Sequence, residues 1–214
     1  MCIRDSTYKG EIAEEIYTKL DQADFSVELA RVRSLAPDAI FQFHPGGAGI
    51  NLTKQFANSG LDGKIKMITP IYSMDERMLA ATGTAGKGFY LSSLWSADLD
   101  NPQNKHFVQA FTQAYNRAPT AYAAQAYDTA NLIGTALKAA GGDIAGKPDA
   151  FRDALRRADF PSVRGKFKFG PNQHPVQDWY LLHIEAGPDG KLVYKNLKVI
   201  ARDHTDVHAV DCKM

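Results

Sequence analysis

The segment FHPGGAGINLTKQF, Phe43 to Phe56, places Gly46, Gly47 and Gly49 between an apolar run and a helical pattern. Glycines at such a junction can turn their backbone N–H groups toward an anion at a helix N-terminus. A nucleotide phosphate is a poor match for this spacing. The three glycines do not form G-x-G-x-x-G, no G-x-x-x-x-G-K-[ST] occurs, and Lys54 lies too far into the helix to serve as a phosphate lysine. The alternative is structural: Gly46 and Gly47 simply let the backbone turn into the helix.

Other reactive residue types are present without the partners that chemistry needs. Ser92, Ser93 and Ser96 lack a G-x-S-x-G elbow and have no His or Asp placed to activate them. His174 and Asp178 beside Trp179 suggest acid–base work, but polar groups at a turn more often satisfy local backbone. The tail DHTDVHAVDC, Asp203 to Cys212, carries two His, three Asp and one Cys, a set that could ligate a metal. A solvated tail is the commoner fate of such a run near a terminus. Phe111, Tyr115 and Tyr127 read as core rather than binding surface. Nothing in the sequence demands catalysis, a cofactor or a metal.

Composition narrows the partners. With 214 residues, 44% of them hydrophobic, the chain can form one large domain or two small ones. A formal charge of +1 with scattered Lys and Arg gives no electrostatic footprint for nucleic acid or an anionic membrane. No apolar run approaches the roughly 20 residues that span a bilayer, and no basic-then-apolar segment opens the chain as a signal peptide would. Cys2 and Cys212 stand at opposite extremities without metal-ligand spacing; a single disulfide between them is conceivable on count alone.

The elements that must position the glycines alternate in type. GEIAEEIY (Gly10 to Tyr17) reads as a strand, and FSVELARVRSLA puts Phe25, Leu29, Val32 and Ala36 at helical spacing. AIFQF (Ala39 to Phe43) is a nearly continuous apolar strand, as in a parallel sheet buried on both faces. A helix over about 48–59 ends at Gly60, KMITPI gives a third strand, a short helix covers 75–81, and KGFYLSSL gives a fourth strand. A longer helix follows over 104–117, with Phe107 and Phe111 on one face and Pro102 in its lead-in. Four strand–helix units in series predict an α/β fold, a parallel sheet sandwiched by helices.

After RAPT, Arg117 to Thr120, the alternation breaks. Two helices follow without a strand between them: 122–140, with Ala126, Ala130, Ile133 and Leu137 in line, and 148–158, with Phe151, Leu155 and Ala158. KFKF, DWYLLHI and KLVYKNLKVI are strands, the last two joined by the turn Gly187-Pro188-Asp189-Gly190 into an antiparallel hairpin. The two helices have no sheet of their own, so they are assigned to a second lobe whose sheet is largely outside this chain.

Open parallel sheets bind ligands beyond the carboxyl ends of their strands. His44-Pro45-Gly46-Gly47 lies at one such end and Thr69-Pro70-Ile71-Tyr72-Ser73 at the next. Together they offer backbone N–H groups, a helix N-terminus and an aromatic ring to a small anionic or amphipathic ligand.

The segments SLAPDAIFQFHPGGAGINLTKQFANSGL, DLDNPQNKHFVQAF, AYAAQAYDTANLIGTALKAAGGD and NQHPVQDWYLLHI carry a wider likeness. From about Tyr8 onward the chain resembles the substrate-binding proteins of ABC importers of the branched-chain amino acid, or leucine-binding, type. The likeness rests on the order and spacing of segments rather than on a catalytic motif. It implies a periplasmic, non-enzymatic protein without cofactor, monomeric at full length. Such a protein closes two α/β lobes on a small carboxylate or amino acid and delivers it to permease subunits. In that picture 7–118 and 173–214 form the second lobe, and 119–172 is a remnant of the first with its crossovers. The first-lobe strands and signal peptide would precede Tyr8, and residues 1–6, MCIRDS, resemble a leader found on open reading frames assembled from environmental sequence. A truncated gene product is therefore expected.

The resemblance assigns ligand contacts to His44, Pro45, Gly46 and Gly47, to Ile71 and Tyr72, and to Tyr122 and Gln125 near a crossover. Amino-acid-binding relatives often place an acidic residue near position 71, where this chain has Ile71 and Tyr72. An ammonium left unpaired in a closed site costs on the order of 3–5 kcal/mol. The expectation is a ligand without a free amine, stacked on Tyr72 or Tyr122, with Asp75 keeping the amino-acid alternative open. A ligand-sensing regulatory domain of the same fold and a flavodoxin-like cofactor carrier are the remaining alternatives.

Overall fold

The computed structural model describes residues 9–211. The elements, in order, are α1 (Ser26–Leu35), β1 (Ala39–Phe41), α2 (Gly47–Asn58), β2 (Lys66–Pro70), a 3-10 turn (Ile71–Ser73), α3 (Glu76–Thr82) and β3 (Tyr90–Ser93). Then come α4 (Pro102–Tyr115), α5 (Ala121–Ala139), α6 (Pro148–Arg157), β4 (Lys168–Phe169), β5 (Pro175–Ala186) and β6 (Leu192–His204). The six strands form one mixed sheet in the order β1-β2-β3-β5-β4, with β6 beside β5. Among the described residues no helix is long and apolar enough to cross a membrane.

The chain divides into two compact units, one running to Tyr90 and including Ile184–Leu192, the other made of Leu91–His183 and the residues from Val193. In the first unit β1 and β2 pair in parallel, Ala39 opposite Lys66 and Phe41 opposite Ile68. Phe25, Phe56, Met67 and Phe89 are buried there, with Phe56 and Phe89 in edge-to-face contact at 5.8 Å. The expected turn closes the β5–β6 hairpin: Gly187 N–H donates to the Lys191 carbonyl at 2.7 Å.

The second unit is built around buried polar ties as much as around its apolar core. Asn101 caps α4 by accepting the Asn104 N–H at 2.7 Å, with Pro102 in the first turn where no N–H is needed. Buried Asn104 accepts the Trp95 indole N–H at 2.7 Å and donates to the carbonyls of Ser96, Ala97 and Leu99. Asp128 on α5 accepts from Ser162 Oγ at 2.6 Å, Val163 N–H at 2.9 Å and Arg164 Nε at 2.8 Å. The other arm of Arg164 donates to Gln177 Oε1 on β5 at 2.7 Å.

Several expectations need correction. Residues 10–17 form no strand: Ile12 and Ile16 are exposed, and no ladder partner stands beside them among the described residues. A strand is made by its neighbour, so β propensity alone did not suffice. β1 is not buried on both faces but stands at the end of the strand order, with Phe41 69% exposed. Tyr115, expected in the core, is 62% exposed in the last turn of α4, stacked on Phe111 at 4.6 Å with the Arg117 guanidinium nearby.

Helices α5 and α6 pack on each other. Ala121, Ala124, Asp128 and Ala136 of α5 are buried, while Ala126, Ala130 and Ile133 of the expected stripe stay exposed. The described residues supply no cover for that stripe. The possible Cys2–Cys212 disulfide lies outside the described residues.

Candidate functional site

The glycine segment sits at the carboxyl ends of β1 and β2. After β1 the backbone reverses at Gly46, whose φ of 66° and ψ of −138° suit only glycine, and α2 begins at once. No side chain caps α2, so its first N–H groups and the positive end of its dipole are left to other partners. Gly46 N–H lies 3.2 Å from Met78 Sδ, a weak acceptor. Pro45, Gly46 and Gly47 are exposed, whereas Ala48 and Gly49 are buried.

Gly49 is where three segments converge. A Cβ there would lie 2.1 Å from the His44 carbonyl oxygen and 3.0 Å from that of Ser73. Helix α2 therefore touches both strand-end loops through a bare Cα. Ser73 is fully buried, and its Oγ, like that of Thr53 one turn after Gly49, has no hydrogen-bond partner among the described residues.

Of the expected contacts, the structure brings His44, Pro45, Gly46, Gly47, Ile71 and Tyr72 onto one unit at adjacent strand ends. Ile71 is 1% exposed and packs into the core, leaving Tyr72, half-buried, as the aromatic residue of that turn. Tyr122 and Gln125 belong to the first turns of α5 in the other unit, Tyr122 exposed and Gln125 half-buried.

Gln42 and Thr18, not singled out from the sequence, complete the tip with Thr69 and His44 of the two strand-end segments. Gln42 and Thr69 are buried and joined by a 2.9 Å hydrogen bond from Gln42 Nε2 to Thr69 Oγ1. His44 Nδ1 lies 3.0 Å from Gln42 Oε1, and His44 Nε2 lies 2.9 Å from Thr18 Oγ1. The Phe25 ring packs edge-on against the imidazole at 5.3 Å. A glutamine interrupting AIFQF and a threonine just before Pro70 were the available signals.

Asp75 is 1% exposed and accepts three hydrogen bonds. Its Oδ1 accepts the N–H groups of Arg77 and Met78 at 2.9 and 3.0 Å as the N-cap of α3, and its Oδ2 faces the Arg77 guanidinium at 3.1 Å. Three of the carboxylate's four lone-pair sites are thus taken, and the side chain is only 2% exposed.

Burial draws the His44 pKa below its ordinary 6.5, against an upward pull from Glu28. A folded-state value below the unfolded one means that protonation favours unfolding. The contribution is complete above pH 6.5 and is lost as pH falls through the folded pKa. Thermal melts of His44→Asn are expected to show a shallower loss of midpoint on acidification below pH 6.5 than the parent chain; equal slopes would contradict this.

The remaining reactive groups are absorbed locally. Ser93 Oγ bonds the Trp95 carbonyl and Ser96 Oγ bonds Asp98. Asp178 accepts the Asp203 N–H at 2.9 Å, and the His208 N–H holds the Asp206 carboxyl below its ordinary range. Among the described residues no group of three or more His, Cys, Asp or Glu could hold a metal. A depression of about 810 Å³ lies at the opposite, amino-terminal ends of β1, β2 and β3, bordered by Arg33, Asp38, Lys64 and Lys66. It shares none of the tip residues.

A glycine-led helix at adjacent parallel strand ends is a position where open α/β sheets take small ligands. The periplasmic binding protein family model matches residues 6–191, and the chain belongs to that family, whose solute-binding members are not enzymes. A solute-binding protein of an ABC transporter from R. palustris, solved with benzoate, is 34% identical over 96% of this chain and 54% of its own, with a TM-score of 0.86. One from Rhodopseudomonas palustris BisB5, solved with 3,4-dihydroxy benzoic acid, is 34% identical over 85% of this chain and 50% of its own, with a TM-score of 0.70. A leucine binding protein from Thermotoga maritima shares the fold at 19% identity, covering 89% of this chain and 52% of its own, with a TM-score of 0.75. The chain thus spans about half the length of these structures. No curated protein sequence matches it.

Proposed function

We propose that this chain is part of the solute-binding component of an ABC importer, and that its ligand is a small aromatic carboxylate. The observation carrying the ligand class is the burial of Asp75: in the loop after β2 its carboxylate is 2% exposed and engaged by the α3 cap and Arg77. The uncapped start of α2 suits a carboxylate, and Tyr72 suits a ring. The relatives at 34% identity were solved with benzoate and 3,4-dihydroxy benzoic acid, which agrees with that class. Pro45, Gly46, Gly47 and Tyr72 are the proposed contacts of the first unit, and Tyr122 and Gln125 the candidates carried by the second. The whole protein would act in the periplasm and pass its ligand to membrane permease subunits. The exposed stripe Ala126, Ala130 and Ile133 supports assigning 119–172 to a first lobe completed by further chain.

Calorimetry with benzoate and leucine tests the class. Benzoate is expected to bind weakly and leucine not measurably, and micromolar binding of leucine would overturn the proposal. Tyr72→Ala is expected to weaken benzoate about fivefold, the size of one stacking contact of about 1 kcal/mol.

A further inference from the structure

We propose that His44 is a positioning residue, the central link of a one-way hydrogen-bond chain Thr18–His44–Gln42–Thr69 that sets the Pro45–Gly47 tip against the turn Ile71–Ser73. The proposal rests on the ligand reading above only for its functional consequence.

One carbonyl fixes the direction of the chain. Thr69 Oγ1 lies 3.3 Å from the Pro70 carbonyl oxygen, which can only accept, so the Thr69 hydroxyl donates there. The same hydroxyl must then accept from Gln42 Nε2 at 2.9 Å. That orients the Gln42 amide with Oε1 toward His44 Nδ1, 3.0 Å away, and requires a proton on Nδ1. In a neutral ring Nε2 is then a lone pair, and it accepts the Thr18 hydroxyl at 2.9 Å. Every member is satisfied with one neutral tautomer, and no reversal of the order satisfies Pro70.

Two consequences follow for the tip. With both nitrogens engaged and the Phe25 ring against one edge, the imidazole has no donor left for a carboxylate. The ring instead ties the residue preceding Pro45 to Thr69, the residue preceding Pro70, across the two strand ends. Phe25 is itself held, its N–H donating to Gln55 Oε1 at 2.7 Å while Gln55 Nε2 donates to the Ala23 carbonyl at 2.7 Å. Helix α2, through Gln55, thus braces the support of the ring that precedes it.

The test combines imidazole nitrogen NMR with benzoate titrations followed at the Gly46 and Gly47 amides. The parent chain is expected to hold His44 as the Nδ1–H tautomer, and Gln42→Leu to replace it with a tautomer mixture and shift both glycine amides. His44→Ala is expected to weaken benzoate about tenfold, the size of one buried hydrogen bond. His44→Asn, whose amide nitrogen stands near the Nδ1 position, is expected to recover most of that loss. An Nε2–H tautomer in the parent chain, or His44→Asn as weak as His44→Ala, would overturn the proposal. Should the parent chain not respond to benzoate, the ligand reading fails, and the tautomer together with the amide shifts of Gln42→Leu still decides the positioning role. If Gln42→Leu does not fold, Thr18→Val cuts the chain at its outer end; unchanged glycine amides would then count against it.

Discussion

Gly49→Ala is expected to remove measurable benzoate binding and to lower stability by about 3 kcal/mol, the upper range for overpacking a rigid contact. The added methyl would lie 2.1 Å from the His44 carbonyl oxygen and 3.0 Å from the Ser73 carbonyl oxygen, both backbone atoms that cannot swing aside. Helix α2 would have to lift from the two loops whose spacing the tip depends on. Gly47→Ala is the comparison, since a Cβ there meets nothing within 4 Å and replaces the most flexible residue in a helical position. It is expected to leave stability unchanged or raise it by about 0.5 kcal/mol. Urea unfolding of the two variants separates the cases, and equal stabilities would refute the close-approach argument.

Asp128→Ala is expected to cost about 3–5 kcal/mol, because it strands a buried guanidinium. The side chains of Asp128 and Arg164 are 1% and 8% exposed, so water cannot replace the lost partner. The carboxylate also holds Ser162 and the Val163 N–H, tying α5 to the segment that leads into β4. The Arg164 guanidinium lies 4.5 Å from the Phe167 ring centroid, which offers only weak compensation. Arg164→Met combined with Asp128→Ala removes both charges and is expected to lose less than the sum of the single changes. Additive losses in urea unfolding would show that the pair is not coupled.

Much of the architecture was legible along the chain. The helices carrying Leu29 and Val32, and Phe107, follow from 3.6-residue spacing, and Gly60 and Pro102 mark helix limits, whereas the Asn101 cap that starts α4 two residues before the expected 104 appears only in the structure. The strand-end position of Gly46 and Tyr72 followed from the strand–helix alternation. The misreadings share one cause. Residues 10–17, Phe41 and Tyr115 carry apolar side chains whose burial depends on neighbours that local pattern does not reveal.

By itself the sequence determined the order of elements, the α/β class, the glycine turn into a helix at a strand end and the absence of a phosphate motif, because these depend on residues close together in the chain. Only the tertiary structure decided how His44 and Asp75 are used. Both are polar residues at the right strand ends, and from spacing alone both are open to a ligand. The partners of the histidine are Thr18, from a distant segment, and Gln42, itself held by Thr69 of the next strand, and the α3 cap and Arg77 for the aspartate depend on one backbone conformation. Hydrogen-bond capacity is spent in three dimensions, and what is left for a ligand can be counted only after the fold has taken its share.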